Sequence, residues 1–184
     1  MKLLTAIKLA ERYFNNSKLY AKDIGEHLDT LKIYASQSNH ITELGVRKIV
    51  STWAFILGNP QKLVSVDIVF PSDYLKDDEI LLNIVHDICN KMEIGFLFVH
   101  NDSLKIDIEE TDLLFIDTAH TYNQLSQELN LHGNKSRKWI ILHDTESCKN
   151  ELWKAIDEFL LSNKEWYIKK IYENNNGLTI LERK

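Results

Sequence analysis

Beyond residue 40 the chain alternates short apolar runs with longer amphipathic stretches, and this alternation restricts the possible folds more than any other feature. The runs are Ile41–Val46, Leu63–Ile68, Ile94–His100, Asp112–Asp117 and Trp139–Asp144. Each has strand length and is rich in β-branched or aromatic residues. Helical stretches separate them at Lys48–Leu57, Asp78–Lys91 and Tyr122–Leu131, with another at Asn150–Leu161. Strands that are apolar almost throughout are covered on both faces, as parallel strands are by their crossover helices. The pattern predicts an α/β fold with a doubly wound, mostly parallel sheet. Two further strands, Trp166–Tyr172 and Leu178–Leu181, have no helix between them. Asn174-Asn175-Asn176-Gly177 is a turn signal, so these two form an antiparallel hairpin at the sheet edge.

The first forty residues read as helices, with Lys22–Tyr34 setting Ile24, Leu28, Leu31 and Ile33 near one face. At 184 residues there is room for a single domain, residues 1–40 as a helical cap and 41–184 as the core. The formal charge of −5 argues against a nucleic-acid partner held by phosphate neutralisation. Cys89 and Cys148 match neither a zinc spacing nor a disulfide framework. No apolar run reaches the roughly 20 residues that cross a bilayer, so no membrane partner is expected. The amino terminus reads as a short amphipathic helix rather than a leader, because Lys8, Glu11 and Arg12 interrupt its apolar stretch, and the expected compartment is the cytoplasm.

In an open α/β sheet, ligands bind beyond the carboxyl ends of the strands. The first run ends in Glu43-Leu44-Gly45-Val46-Arg47, ahead of a helix that begins near Ser51 and offers free N–H donors. The second ends in Asp67, a carboxylate able to take two hydrogen bonds from a ribose diol, or else a solvated strand end. The third leads into Asn101-Asp102-Ser103, near a base edge or simply an N-cap. Asp117, His120, His143 and Asp144 form the sharpest constellation. Two carboxylates from separate strand ends can hold a hard divalent cation, and a nearby imidazole can act as a base. The structural alternative has both acids capping the helices that follow. Arg47 reads as a surface ion-pair partner, Trp53 as core and His27 as a solvated or capping residue. Tyr122 is either acceptor-lining or packed under the fourth strand.

Together these residues resemble the class I S-adenosylmethionine-dependent methyltransferases. The closer similarity is to the metal-dependent O-methyltransferases of the catechol and macrolide-sugar type and to the cephalosporin hydroxylase-like (methyltransferase 24-type) family. The match rests on Ile41-Thr-Glu-Leu-Gly-Val-Arg47, Leu63-Val-Ser-Val-Asp67, Asp112-Leu-Leu-Phe-Ile-Asp-Thr-Ala-His-Thr-Tyr122 and Ile140-Ile-Leu-His-Asp-Thr145. The resemblance implies a Rossmann-like, seven-stranded sheet. It implies S-adenosylmethionine bound by Glu43, Gly45, Ser51, Asp67, Asp102 and Ser103, with Asp67 on the ribose and Asp102-Ser103 beside the adenine. It implies Mg²⁺ or another divalent cation on Asp117 and Asp144, with His143 or Thr145 as the neighbouring ligand. His120 falls where catechol-type relatives carry a lysine base.

The implied reaction is methyl transfer to a small hydroxylated acceptor, a sugar or glycan hydroxyl first among them. A diverged hydroxylase-like enzyme and a non-catalytic binding module are the alternatives. The last is suggested by Ile49, which stands where the family loop has a second glycine. The pocket is completed by the first forty residues, by short loops or by the second subunit of a homodimer.

Overall fold

The computed structural model describes residues 1–74 and 79–184. Helix α1 (Leu3–Tyr20) is followed by a short 3₁₀ turn (Gly25–His27) and α2 (Leu28–Ala35). Strand β1 (His40–Leu44) leads through α3 (Val50–Gly58) to β2 (Lys62–Asp67). Helices α4 (Pro71–Tyr74) and α5 (Glu79–Lys91) precede β3 (Gly95–His100). A 3₁₀ turn (Ser103–Lys105) then leads to β4 (Thr111–Ile116), α6 (Tyr122–His132) and β5 (Ser136–His143). Helix α7 (Lys149–Ser162), β6 (Trp166–Tyr172) and β7 (Leu178–Arg183) complete the chain.

The strands form one seven-stranded sheet in the order β3-β2-β1-β4-β5-β7-β6. Strands β1 to β5 pair in parallel, while β7 pairs antiparallel with both β5 and β6. The Rossmann-like sheet and its terminal hairpin follow the expectation. All seven strands also fall within a few residues of their predicted places. Asp78, where the predicted Asp78–Lys91 helix begins, lies outside the described residues.

Two local expectations need correction. Lys22–Ile24 is a turn rather than a helix, and regular α-helix starts only at Leu28. Ile33 is 58% exposed, whereas Ile24, Leu28 and Leu31 are buried. Two residues along a helix rotate a side chain by about 200°, so Leu31 and Ile33 cannot share a face. The buried face of the cap joins one core with α3 and the sheet, and Tyr13 stacks on Trp53 with ring centroids 4.6 Å apart. Such a pair contributes roughly 0.5–1.5 kcal/mol beyond its buried area.

The chain order reverses between β1 and β4, which makes their carboxyl ends the topological switch point and opens a crevice there. Gly45 follows β1 with φ +88°, and a Cβ at this position would lie 2.0 Å from the carbonyl oxygen of Asp117. Only glycine lets these two strand ends approach so closely.

Candidate active site

Two cavities open at the switch point. One, of about 650 Å³, lies under the amino-terminal cap and is lined by Ser17, Tyr20, Asp23, Arg47, Ser51 and Asp117 among others. The second, of about 330 Å³, is lined by Gly45, Arg47, Asp67, Asp102, Ser103 and Asp117 among others. Arg47 and Asp117 line both, so the two form one cleft across the ends of β1, β2 and β4.

The loop after β1 lines the cleft and is held in shape by the Asp67 carboxylate. Asp67 Oδ2 accepts the N–H groups of Val46 and Arg47, both at 2.8 Å, and Oδ1 accepts that of Val69 at 2.9 Å. A carboxylate has about four acceptor positions, so Asp67 keeps one for a ribose hydroxyl instead of the two expected. Glu43 departs further from expectation. It is fully buried and lines neither cavity, while Ser51, Thr52 and Ser65 donate to it at 2.5, 2.9 and 2.6 Å. It pins the start of α3 to β1 and β2 from behind the loop. Burial lifts its pKa to about 7 against the pull of those hydroxyls and with a small push from the Asp117 charge.

Ile49 caps α3 in a left-handed conformation, φ 60°, which explains why a glycine suits this position. Its side chain is 1% exposed in the core cluster and does not line the cleft. The second glycine is therefore replaced without blocking either cavity.

On the other wall, Asp102 lines the smaller cavity and also N-caps the 3₁₀ turn, accepting from Leu104 N at 3.0 Å. The N-cap reading of this residue holds. Ser103 donates inward to Glu128 at 2.6 Å, and Glu128 also accepts from Thr118 at 2.8 Å and Gln124 at 3.0 Å. Glu128, which sequence reasoning passed over, does for this wall what Glu43 does for the first. Its place on the buried face of α6, with Leu125, Leu129 and His132, is the signal that could have found it. Burial raises its pKa as well.

The sharpest constellation does converge. Asp117, His120 and Asp144 each present a ligand atom within 4.8 Å of the others. His120 Nε2 stands 3.2 Å from Asp117 Oδ1 and 3.0 Å from Asp144 Oδ2. His143 Nδ1 stands 3.3 and 3.1 Å from the same two oxygens. Neither acid caps its helix through the expected contact: Thr121 caps α6, and α7 has no side-chain cap. Asp144 is instead held in a left-handed conformation, φ 57°, with Ser147 donating to its Oδ1 at 2.6 Å. Thr145 is turned away, hydrogen-bonded to Thr179 at 2.9 Å, and leaves the set of candidate ligands.

The imidazoles and carboxylates reinforce one another. Burial disfavours charge on Asp117, but the hydrogen bonds and charges of His120 and His143 outweigh it and hold its pKa well below the usual range. For His143, burial opposes protonation, yet Asp117 and Asp144 carry its pKa up to about 10. The hydrogen bond to Asp117 raises His120 too.

His27 is not solvated, as expected from sequence, but 1% exposed, with Nε2 2.9 Å from the carbonyl oxygen of Asn174. It belongs to a tether between the cap and the β6–β7 turn. Asn175 accepts from Glu26 N at 3.0 Å and donates to the Lys22 carbonyl at 2.7 Å, while Asn174 donates to Glu26 at 2.6 Å. Arg47 does form an exposed ion pair, with Asp23 at 3.5 Å, and Trp53 is core. Tyr122 packs, partly buried, against the core cluster that includes Leu114 and Ile116 of β4, and its hydroxyl donates to Glu158 at 2.7 Å.

No family profile matches the chain, and no curated protein matches it in sequence. Solved structures do match. The O-methyltransferase from Bacillus cereus in complex with SAH is 15% identical, with 98% of this chain and 91% of that chain covered and a TM-score of 0.63. A methyltransferase from Geobacter sulfurreducens is 15% identical, with coverages of 86% and 78% and a TM-score of 0.63. The 16S rRNA methylase RmtB is 16% identical, with coverages of 99% and 73% and a TM-score of 0.63. The chain therefore has the Rossmann-like fold of the methyltransferases. These neighbours include an O-methyltransferase and a 16S rRNA methylase, so the acceptor has to be argued from the site. No helix among the described residues is long and apolar enough to cross a membrane.

Proposed function

We propose that the chain is an S-adenosylmethionine-dependent O-methyltransferase acting on a small hydroxylated acceptor, a sugar or glycan hydroxyl first among the candidates, with a divalent cation at Asp117 and Asp144. The observation that carries this reading is the single cleft whose two cavities meet at Asp117 and Arg47. The smaller cavity, between Asp67 and Asp102-Ser103, suits a nucleoside. The larger, under Tyr20 and Asp23, suits the methionine end and the acceptor.

Bound S-adenosylmethionine would supply an electrophilic methyl group on a sulfonium. The residues fit a cation, because carboxylate oxygens and imidazole nitrogens converge with ligand atoms within 4.8 Å of one another. Held by Asp117 and Asp144, with His143 beside them, such an ion would lower the pKa of an acceptor hydroxyl. His120, with 37% of its side chain exposed, is placed to take the released proton at Nε2. Glu43 and Glu128 keep both cleft walls from moving, so orientation is supplied before the acceptor arrives. Ile49 packs in the core and not in the cleft, which supports the catalytic reading over a non-catalytic module.

The test is calorimetric titration with S-adenosylhomocysteine, followed by transfer of labelled methyl to a panel of sugars and phenols with and without EDTA. Binding and EDTA-sensitive transfer are expected. Asp117→Asn should lower turnover by about 10²-fold or more, on the scale of losing one group that stabilises developing charge. Full turnover in Asp117→Asn would overturn the mechanism, and no binding of S-adenosylhomocysteine would overturn the function.

A further inference from the structure

His143 is the buried member of the cluster, and its two ring nitrogens face acceptors only. Nε2 lies 3.0 Å from the carbonyl oxygen of Asp23 and 3.3 Å from that of Asn175. Carbonyls accept, so Nε2 carries a hydrogen. Nδ1 faces Asp117 Oδ1 and Asp144 Oδ2 at 3.3 and 3.1 Å, and the side chain is 1% exposed. Two carboxylate oxygens and a buried imidazole nitrogen thus converge at the edge of the cleft, where Asp117 remains a quarter exposed, and a positive charge reconciles them. A proton on Nδ1 is one solution and a metal ion the other. Anchoring the far N–H on backbone carbonyls is how metal-binding histidines are oriented. Donors about 2.0–2.2 Å from a shared first-row ion stand about 3 Å from one another, which matches the spacings here.

Resting on the metal-assisted reading above, we propose that Asp117, Asp144 and His143 form a mixed nitrogen–oxygen site selective for a transition dication of the manganese, iron, cobalt or zinc class over magnesium. Magnesium prefers an octahedron of oxygens and keeps its waters. Imidazole shifts preference toward the later first-row ions. His120 occupies the open side of the same two oxygens and keeps its role toward the acceptor's proton.

The experiment uses the full chain, stripped with chelator and titrated calorimetrically with magnesium, manganese, cobalt and zinc separately. Cobalt and zinc are expected to bind about 100-fold tighter than magnesium. His143→Asn should remove most of that gap, whereas His120→Asn should preserve it. Because a buried substitution can unfold a protein, the wild-type chain supplies a second readout in its histidine ring ¹⁵N shifts. With zinc, Nδ1 of His143 should move into the metal-bound range while Nε2 keeps its hydrogen.

Two results overturn the proposal: equal affinity for magnesium and cobalt, or a zinc shift confined to His120. Parallel titration with S-adenosylhomocysteine separates the two readings. Its failure alone removes the methyl-transfer reading and leaves the cation preference standing.

Discussion

At the scale of single residues, buried carboxylates set the behaviour of the cleft. Glu43 has a pKa raised from 4.5 to about 7 in the folded chain, so folding favours its protonated form. That contribution to stability is complete below about pH 4.5 and is lost as pH rises through about 7. The difference is on the order of 3 kcal/mol. Glu43→Gln has no proton to lose, so it should gain stability relative to wild type as pH rises from 5 to 8. Urea denaturation of both proteins at the two pH values checks this, and parallel pH dependence would refute it. Gly45 permits a different prediction. A methyl group there meets the Asp117 carbonyl and sits on a backbone that side chains avoid. Gly45→Ala should therefore cost more than about 2 kcal/mol and shift the urea midpoint accordingly.

At the scale of elements, the amino-terminal cap and the terminal hairpin act on the site together. The turn between β6 and β7 reaches the cap through Asn174 and Asn175, and His143 touches both the Asp23 and the Asn175 carbonyls. Asn175 has φ 50°, so an alanine there would add backbone strain to the loss of side-chain bonds. Glycine removes the bonds alone. Asn175→Gly should speed amide exchange over residues 22–28 by about tenfold, the effect of losing one or two net hydrogen bonds, and leave the β1 and β4 amides unchanged. Unaltered exchange in the cap would show that the tether contributes nothing. The hairpin itself was legible, because Asn-Asn-Asn-Gly is a local turn signal. Its partnership with His27 was not, since the two lie 147 residues apart and neither carries a local mark of the other.

At the scale of the whole molecule, cap and sheet share one core cluster running from Ala6 to Ile180. Heating should therefore give one cooperative transition, with calorimetric and van't Hoff enthalpies equal. A separate early transition for residues 1–40 would mean that the cap folds independently.

Alternating apolar runs, strand-end acids and a glycine-containing loop were enough to determine the sheet, its hairpin and the meeting of Asp117 with Asp144. These are local signals, and a parallel sheet brings its strand ends to one edge by construction. What tertiary structure alone decided was direction. Strand β1 is buried on both faces, so no alternation revealed that Glu43 turns away from the cleft. Ile49 likewise turns into the core, Asp67 spends most of its acceptors on backbone N–H groups, and His143 is aimed by carbonyls from distant segments. A side chain's direction depends on which remote atoms surround it, and packing between separated segments supplies that information.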